Sequence, residues 1–431
     1  MGFFYEEKVL FRSNIFIGDK MIEKLYKNGN NPIEQVKAVT EACCNRCLGH
    51  NIYKDSRGQY HCLDCFQYGE VNDTMTLYRF KRDIKEIRHS ISMAYELSDL
   101  QEKGSKYLLD CYNKRESGFL QAVCGAGKTE MTYNTILKAL NNQEKVCFVI
   151  PRVEVLKELS VRFKKAFPKT HISVLYEGNK HYEESEFLLS TPQQLIYFYR
   201  EFDLVIMDEV DAFPYSGNMF LERLVQKSLK SKGIILYMSA TYSKDFEKTL
   251  KNINTFLIPS RYHNKPMVIP KFIRIKNSNS LMKKLKLYLD NNQIDNKQTL
   301  VFVPTIEIGL NLNKKMIDLN YKSNFISSKT KYKHEVINQF KNKEINFLVT
   351  TTILERGVTF PDIDVFVLYA DHKVFNKKTL IQVSGRVGRD KLHPTGLLIF
   401  FSEYLTKAMK LTKNELIYMN CRNKEIEMQN L

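Results

Sequence analysis

The sequence predicts an α/β protein: two doubly wound parallel-sheet domains in succession, preceded by a small four-cysteine module. Three observations on the 431 residues carry this expectation. First, from about residue 95 short apolar runs alternate with amphipathic stretches. FLQAV (119–123), KVCFVIP (145–151), LLSTP (188–192), LVIMDE (204–209) and GIILYMSAT (233–241) read as buried parallel strands. They are near-continuous apolar runs rather than polar–apolar alternations, as a sheet covered on both faces requires. Second, the pattern restarts after a polar, proline-containing stretch at 242–270. TLVFVP (299–304), SNFIS (323–327), INFLVTT (345–351), DVFVLY (364–369) and LLIFF (397–401) form a second series. Two α/β units of this size imply two domains rather than one core. Third, four of the nine cysteines fall in two close pairs near the N-terminus.

The expected organisation is an extension over 1–42, a cysteine module with a basic helix over 43–92, one domain over 93–250 and another over 251–431. NGNNP at 28–32 reads as a loop, and neither repeat nor low-complexity tract interrupts the chain. Residues 74–92 read as a helix, with Arg79, Arg82, Lys85 and Arg88 recurring every three residues on one broad face. Such a face is either solvated or a nucleic-acid contact.

Lys and Arg total 65 against 48 Asp and Glu, a net charge of +17. This excess favours a polyanionic partner, nucleic acid first and an acidic membrane surface second. An AT-rich genome also inflates lysine, so charge alone decides nothing. Apolar runs such as Leu397 to Phe401 are too short to span a bilayer. The opening MGFFYEEKVLFR has charges where a signal peptide needs an apolar stretch. A cytoplasmic chain is expected. In a reducing compartment nine cysteines argue for metal ligation rather than disulfides.

The strongest chemical signal is Ala122-Val-Cys-Gly-Ala-Gly127-Lys128-Thr129, after a strand and before the helix-like EMTYNTILKAL. Small residues Ala122, Gly125, Ala126 and Gly127 let backbone N–H groups wrap phosphates, and the helix N-terminus adds positive charge. Lys128 is expected at the β- and γ-phosphates of ATP and Thr129 on Mg²⁺. Ala122 stands where the pattern has its first glycine. The second signal is Asp208-Glu209-Val210-Asp211 at the end of an apolar strand, where a carboxylate faces the ligand crevice. Asp208 is expected to hold Mg²⁺, usually through water, and Glu209 to orient and deprotonate the attacking water. The third signal is Gln382-Val-Ser-Gly385-Arg386-Val-Gly388-Arg389. Arg389 suits an arginine finger with Arg386 as its partner, and Gln382 suits water positioning. Either arginine alone is an ordinary basic loop residue.

Cys44-x2-Cys47 and Cys62-x2-Cys65 lie 14 residues apart, close to zinc-ribbon spacing. Each pair sits on a knuckle-like turn, so four thiolates can surround one Zn²⁺. Cys43, His50 and His61 are alternates that break the paired symmetry. A closed, structural site is expected, remote enough for basal ATPase activity to survive its loss.

Taken together, these blocks resemble motifs I, II and VI of superfamily 2 helicases, whose two domains are RecA-like lobes. The remaining motifs appear in order between about 97 and 400. Leu97-Ser-Asp-Leu-Gln101 resembles the glutamine element that reads adenine. Arg152 after Pro151, and Thr191 within Ser190-Thr-Pro-Gln-Gln194, resemble strand-gripping motifs of the first lobe. Ser239-Ala-Thr241 resembles the element coupling hydrolysis to lobe movement. Val303-Pro-Thr305 and Thr350-Thr-Thr-Ile-Leu-Glu355-Arg356-Gly357-Val-Thr359 resemble nucleic-acid motifs of the second lobe, with Thr350 and Arg356 as contacts and Gly357 near the nucleotide.

A cysteine module before a DEVD core is similar to the ComFA family of late-competence ATPases. GAGKTE, DEVDAFPY, TTTILERGVTFP and GRVGR are close to that family's wording. The primosomal DNA helicase is also zinc-bearing, but its cysteines interrupt the second lobe. The resemblance implies ATP, Mg²⁺ and Zn²⁺ as cofactors and single-stranded DNA as partner. It also implies DNA-uptake proteins at the inner face of the cytoplasmic membrane. A general repair or RNA helicase is the alternative enzyme. A zinc-dependent binding module with an inactive motor is the alternative from another class. Polarity, strand separation and oligomeric state are not legible.

Overall fold

The computed structural model describes residues 15–16, 34–79, 87–93, 95–179, 185–241, 253–356, 358 and 360–429. It divides into two compact units. One comprises residues up to Gln121 together with 128–257. The other comprises 258–431 and takes in the short loop 122–127. No helix among the described residues is long and apolar enough to cross a membrane.

The first unit begins with strands β1 (Ile15–Phe16), β2 (Glu34–Lys37), β3 (Ile52–Lys54), β4 (Tyr60–Cys62) and β5 (Thr76–Arg79). β3 and β4 form an antiparallel hairpin between the cysteine pairs, and β5 lies between β1 and β2. The helix expected over 74–92 is therefore corrected: 76–79 is strand, 87–92 is not helical, and 80–86, with Arg82 and Lys85, lie outside the described residues. Period three in the basic residues misled, because the apolar Leu77 and Tyr78 just before them pair β5 into a sheet that includes Arg79. Arg79 is buried rather than solvated. Its Nη1 meets Glu34 at 2.7 Å and its guanidinium stacks 3.6 Å from the Tyr199 ring centre.

The large sheet of this unit contains β6 (Gly118–Ala122), β7 (Val146–Val149), β8 (Ile172–Leu175), β9 (Phe187–Ser190), β10 (Phe202–Met207), β11 (Leu229–Ser239) and β12 (Asn254–Ile258). Its order is β12-β6-β11-β10-β7-β9-β8, with parallel pairing from β6 to β8. All five runs expected here are strands. β8 and β12 were missed because they are short edge strands, and β12 is half exposed, so its apolar signal is weak.

The cysteine module covers one face of this sheet. Ala38, Val39, the four paired cysteines, Val71 and Leu77 belong to one continuous apolar cluster with Cys147, Val149, Leu188, Val205, Met207, Ile235 and Tyr237. The helix Met219–Ser228 mediates the contact. Arg223 reaches Asp64 at 2.5 Å and donates to the Cys47 carbonyl at 3.1 Å. Tyr68 stacks on Phe220 with ring centres 5.4 Å apart. Lys227 is buried and donates to the carbonyls of Arg46 (2.7 Å) and Ile196 (2.8 Å).

The second unit holds β13 (Lys271–Arg274), β14 (Gln298–Phe302), β15 (Ser323–Ile326), β16 (Phe347–Thr350), β17 (Ile363–Leu368) and β18 (Leu398–Ser402). They form a parallel sheet in the order β13-β18-β17-β14-β16-β15. Alternate residues supply two separate cores. Leu300, Phe302, Val365, Val367 and Phe400 face one, and Val301, Val303, Phe366, Leu368 and Phe401 face the other. That division explains the unbroken apolar runs: helices cover both faces.

Candidate active site and metal centre

In the first unit β6, β11 and β10 are consecutive and parallel, so their C-terminal ends deliver three motifs to one edge. β6 leads to Lys128 and Thr129, β11 to Ser239-Ala-Thr241, and β10 to Asp208 and Glu209. Lys128 and Thr129 open a short helix, Lys128–Met131, and the run continues as Tyr133–Asn141.

Asp208 is buried, and its carboxylate takes the Glu209 N–H at 2.8 Å. Desolvation pushes its pKa up to about 6, against the pull of the Lys128 ammonium. A carboxylate held this way gains from a cation, so the site fits Mg²⁺. Glu209 has φ of +54°, in the left-handed region. Non-glycine residues pay for that conformation, and such strain collects at functional sites. Asp211 is buried and accepts the Thr241 hydroxyl at 2.7 Å, while the Thr241 N–H donates to the Ser239 hydroxyl at 3.1 Å. A direct bond thus joins the acidic motif to the SAT element. Its spacing of 30 residues left no signal in the sequence.

Gln101 is buried in the first turn of the helix Asp99–Lys114, where its Oε1 takes the Ser98 N–H at 3.0 Å. Arg152 precedes the helix Val153–Ala166 at its N-cap and is half-buried. Thr191 is buried ahead of the 3₁₀ turn Pro192–Tyr197.

Ala122, Gly125, Ala126 and Gly127 group with the second unit. Gly125 and Gly127 have φ of +85° and +75°, which a side chain would strain. Cys124 Sγ donates to Gln382 Oε1 at 3.0 Å. Gln382 is buried on the helix Lys377–Ser384. Arg386 is also buried: its Nε donates to the Glu355 carbonyl at 3.2 Å and its Nη1 to the Val358 carbonyl. It ties the GRVGR segment to the loop after β16. Arg389 is half-buried and donates from Nε to the Gly385 carbonyl at 2.7 Å. Thr350 is fully buried with its hydroxyl on the Thr351 carbonyl, and Arg356 is buried beside Glu355. Gly357 and Thr359 lie outside the described residues.

One residue with no motif to announce it stands out. Arg261 is 1% exposed and follows β12. Its Nη1 donates to the carbonyls of Val387 (2.6 Å) and Gly388. His263 Nε2 also meets the Gly388 carbonyl at 3.2 Å, and its Nδ1 accepts the Lys265 N–H, so the proton sits on Nε2. Gly388 has φ of +66°, and a Cβ there would lie 2.3 Å from the Pro394 carbonyl oxygen. Only glycine can present its carbonyl this way.

The four paired cysteines are buried with sulfur atoms mutually within 4.8 Å. Cys44 and Cys65 Sγ are 3.9 Å apart, and Cys47 and Cys62 Sγ 3.7 Å apart. Four thiolates about 2.3 Å from one tetrahedral ion sit about 3.8 Å from each other. The residues fit Zn²⁺ with no open coordination position. The two histidine alternates are engaged elsewhere: His50 Nδ1 pairs with the Ala42 carbonyl, and His61 bridges Asp55 and Glu70.

Comparison with known proteins bears on these sites. Residues 90–244 match the family model "Type III restriction enzyme, res subunit", and 279–391 match "Helicase conserved C-terminal domain". Competence protein ComFA of Streptococcus pneumoniae is 36% identical over 373 residues, 84% of this chain and 86% of the relative. Competence protein ComFA of Bacillus subtilis is 32% identical over 430 residues, 95% of this chain and 93% of the relative. Among solved structures, Saccharomyces cerevisiae Dbp5 bound to RNA and ADP BeF3 superposes with a TM-score of 0.55 at 16% identity, covering 75% of this chain and 92% of that one. RecG bound to a three-way DNA junction gives 0.56 at 16% identity over 77% of this chain and 48% of that one. These likenesses establish the two-sheet helicase fold.

Proposed function

The chain belongs to the ComFA family and is an ATP-dependent helicase-type ATPase, and from that premise we propose that it moves along single-stranded DNA to drive or assist DNA import during natural competence. The observation that carries the motor reading is the shared edge of β6, β11 and β10, which gathers Lys128, Asp208, Glu209 and Thr241. The inner face of the cytoplasmic membrane, beside the DNA-uptake proteins, is the place this function requires.

In this mechanism Gly125, Ala126 and Gly127 offer main-chain N–H groups to the phosphates of ATP, and Lys128 neutralises them. Thr129 and Asp208 would hold Mg²⁺, which supplies charge neutralisation on the β- and γ-phosphates. Glu209 takes the proton of the attacking water, with Gln382 helping to position it. Arg389 answers the charge that grows on the γ-phosphoryl oxygens. The Asp211–Thr241 bond is the means by which loss of the γ-phosphate reaches the SAT segment. Arg152 and Arg356 serve the DNA backbone. Around buried Thr191 and Thr350, main-chain groups are the available contacts. Cys44, Cys47, Cys62 and Cys65 would hold Zn²⁺ as a structural clamp, without chemistry of its own.

ATP turnover measured with single-stranded DNA, duplex DNA and RNA in parallel tests the proposal. Single-stranded DNA should stimulate most, and binding should weaken steeply with salt as neutralised phosphates release counterions. Stronger stimulation by RNA would transfer the assignment to an RNA helicase. No turnover with any of the three would leave only a binding module.

A further inference from the structure

Arg261 lies in the stretch joining the two α/β series, in none of the motifs. Its guanidinium is almost completely buried, yet only Nη1 is bonded; Nε and Nη2 have no hydrogen-bond partner. Buried guanidinium nitrogens left unpaired cost free energy, so such an arrangement persists where a ligand supplies the missing acceptor. What lies beside it identifies that ligand. A Cβ built on Gly125 would sit 3.7–3.9 Å from Arg261 Cγ, Cδ and Nε, so the side chain runs along the phosphate loop. The main chains run together as well: Val123 N–H donates to the Ile258 carbonyl at 3.2 Å and Tyr262 N–H to the Gly125 carbonyl at 3.4 Å. Burial lowers the Arg261 pKa to about 10, and the neighbouring Arg389 charge adds to the fall. Two adjacent guanidinium groups beside a phosphate loop form a cationic pair that an anion stabilises.

We propose that Arg261 binds the terminal phosphate of ATP through its free Nε and Nη2, forming with Arg389 a paired cationic site that distinguishes ATP from ADP. This rests on the reading of 122–129 as the nucleotide loop. Nε and Nη2 lie on one edge of the guanidinium, the fork that grips two phosphate oxygens. Nη1 stays on the carbonyls of Val387 and Gly388, so the arginine couples phosphate occupancy to the GRVGR segment. Losing the γ-phosphate would strip the fork of its acceptor and unload that coupling.

The test measures affinity of the full-length protein for an imido-bridged ATP analogue and for ADP, with turnover on the same preparation. Arg261→Gln should weaken analogue binding about 10-fold or more while ADP stays within about 3-fold, and turnover should fall on the order of 10² or more. A merely structural arginine would weaken both nucleotides together, and an unchanged analogue-to-ADP ratio overturns the proposal. Arg261→Lys guards against misfolding of the first variant. A lysine drawn to the Val387 and Gly388 carbonyls offers the phosphate no Nε/Nη2 fork, so it too should lose the preference for the analogue; a normal ratio in it also overturns the proposal. Failure of the unsubstituted protein to bind either nucleotide would instead refute the nucleotide-loop reading beneath it.

Discussion

Two buried cations show how differently the molecule treats its two polar centres. Lys227, under the cysteine module, donates to two carbonyls, and burial lowers its pKa to about 7. Arg261, beside the phosphate loop, has two nitrogens without partners and a second arginine for a neighbour. The first arrangement is closed: module, helix and sheet share one core, and the Lys227 ammonium is spent on main-chain carbonyls. The second is open, like the left-handed Glu209 and the desolvated Asp208 of the acidic motif. A buried polar group that is satisfied serves stability; one held unsatisfied or strained marks where binding energy is to be used.

Substitutions in the proposed nucleotide machinery should produce the largest effects, and in rate rather than stability. Lys128→Ala should abolish turnover by weakening nucleotide binding, whereas Glu209→Gln should abolish it with ATP still bound. Arg389→Ala should leave nucleotide affinity near normal and reduce DNA-stimulated turnover on the order of 10³–10⁵. Affinity and turnover on one folded preparation check all three. An active, well-folded Arg389→Ala protein would remove the arginine finger from the mechanism, and near-normal turnover in Glu209→Gln would remove the base.

Breaking the closed centre should act on folding instead. Metal analysis should find one Zn²⁺ per chain, and replacing Cys62 and Cys65 by Ser should abolish it. Metal binding and folding are coupled in such modules. The sequence alone suggested that ATPase activity would outlast this loss. The shared core instead predicts that the first sheet's stability falls with the module, seen as an earlier thermal transition of the ATP-binding unit. Full zinc loss with an unchanged transition would show that the module is an independent appendage.

A smaller change sharpens the contrast. Lys227→Met keeps the stem of the side chain but removes the ammonium that donates to the Arg46 and Ile196 carbonyls. It should cost about 2–4 kcal/mol in urea unfolding, with turnover per folded molecule unchanged. A cost below about 0.5 kcal/mol would mean that the carbonyls find other partners, and the closed description of this interface would fail.

What the sequence by itself determined is what depends on near neighbours. The ten apolar runs it marks are all strands, because parallel strands buried on both faces admit few polar residues. The phosphate loop, DEVD and the cysteine pairs are legible because their chemistry needs fixed residue types at short spacings. What the tertiary structure alone decided involves partners far apart in the chain. Arg79, read as part of a basic face at 74–92, is buried against Glu34 and Tyr199. Arg386, read as a companion of the finger, spends Nε and Nη1 on the carbonyls of Glu355 and Val358. Arg261 sat unremarked in the polar stretch taken as a boundary, since one arginine has no periodicity. Its meaning comes from Gly125, 136 positions earlier, and Gly388, 127 positions later. Local patterns report which groups the backbone must satisfy nearby; which buried charge is left waiting for a ligand depends on the surroundings that folding assembles.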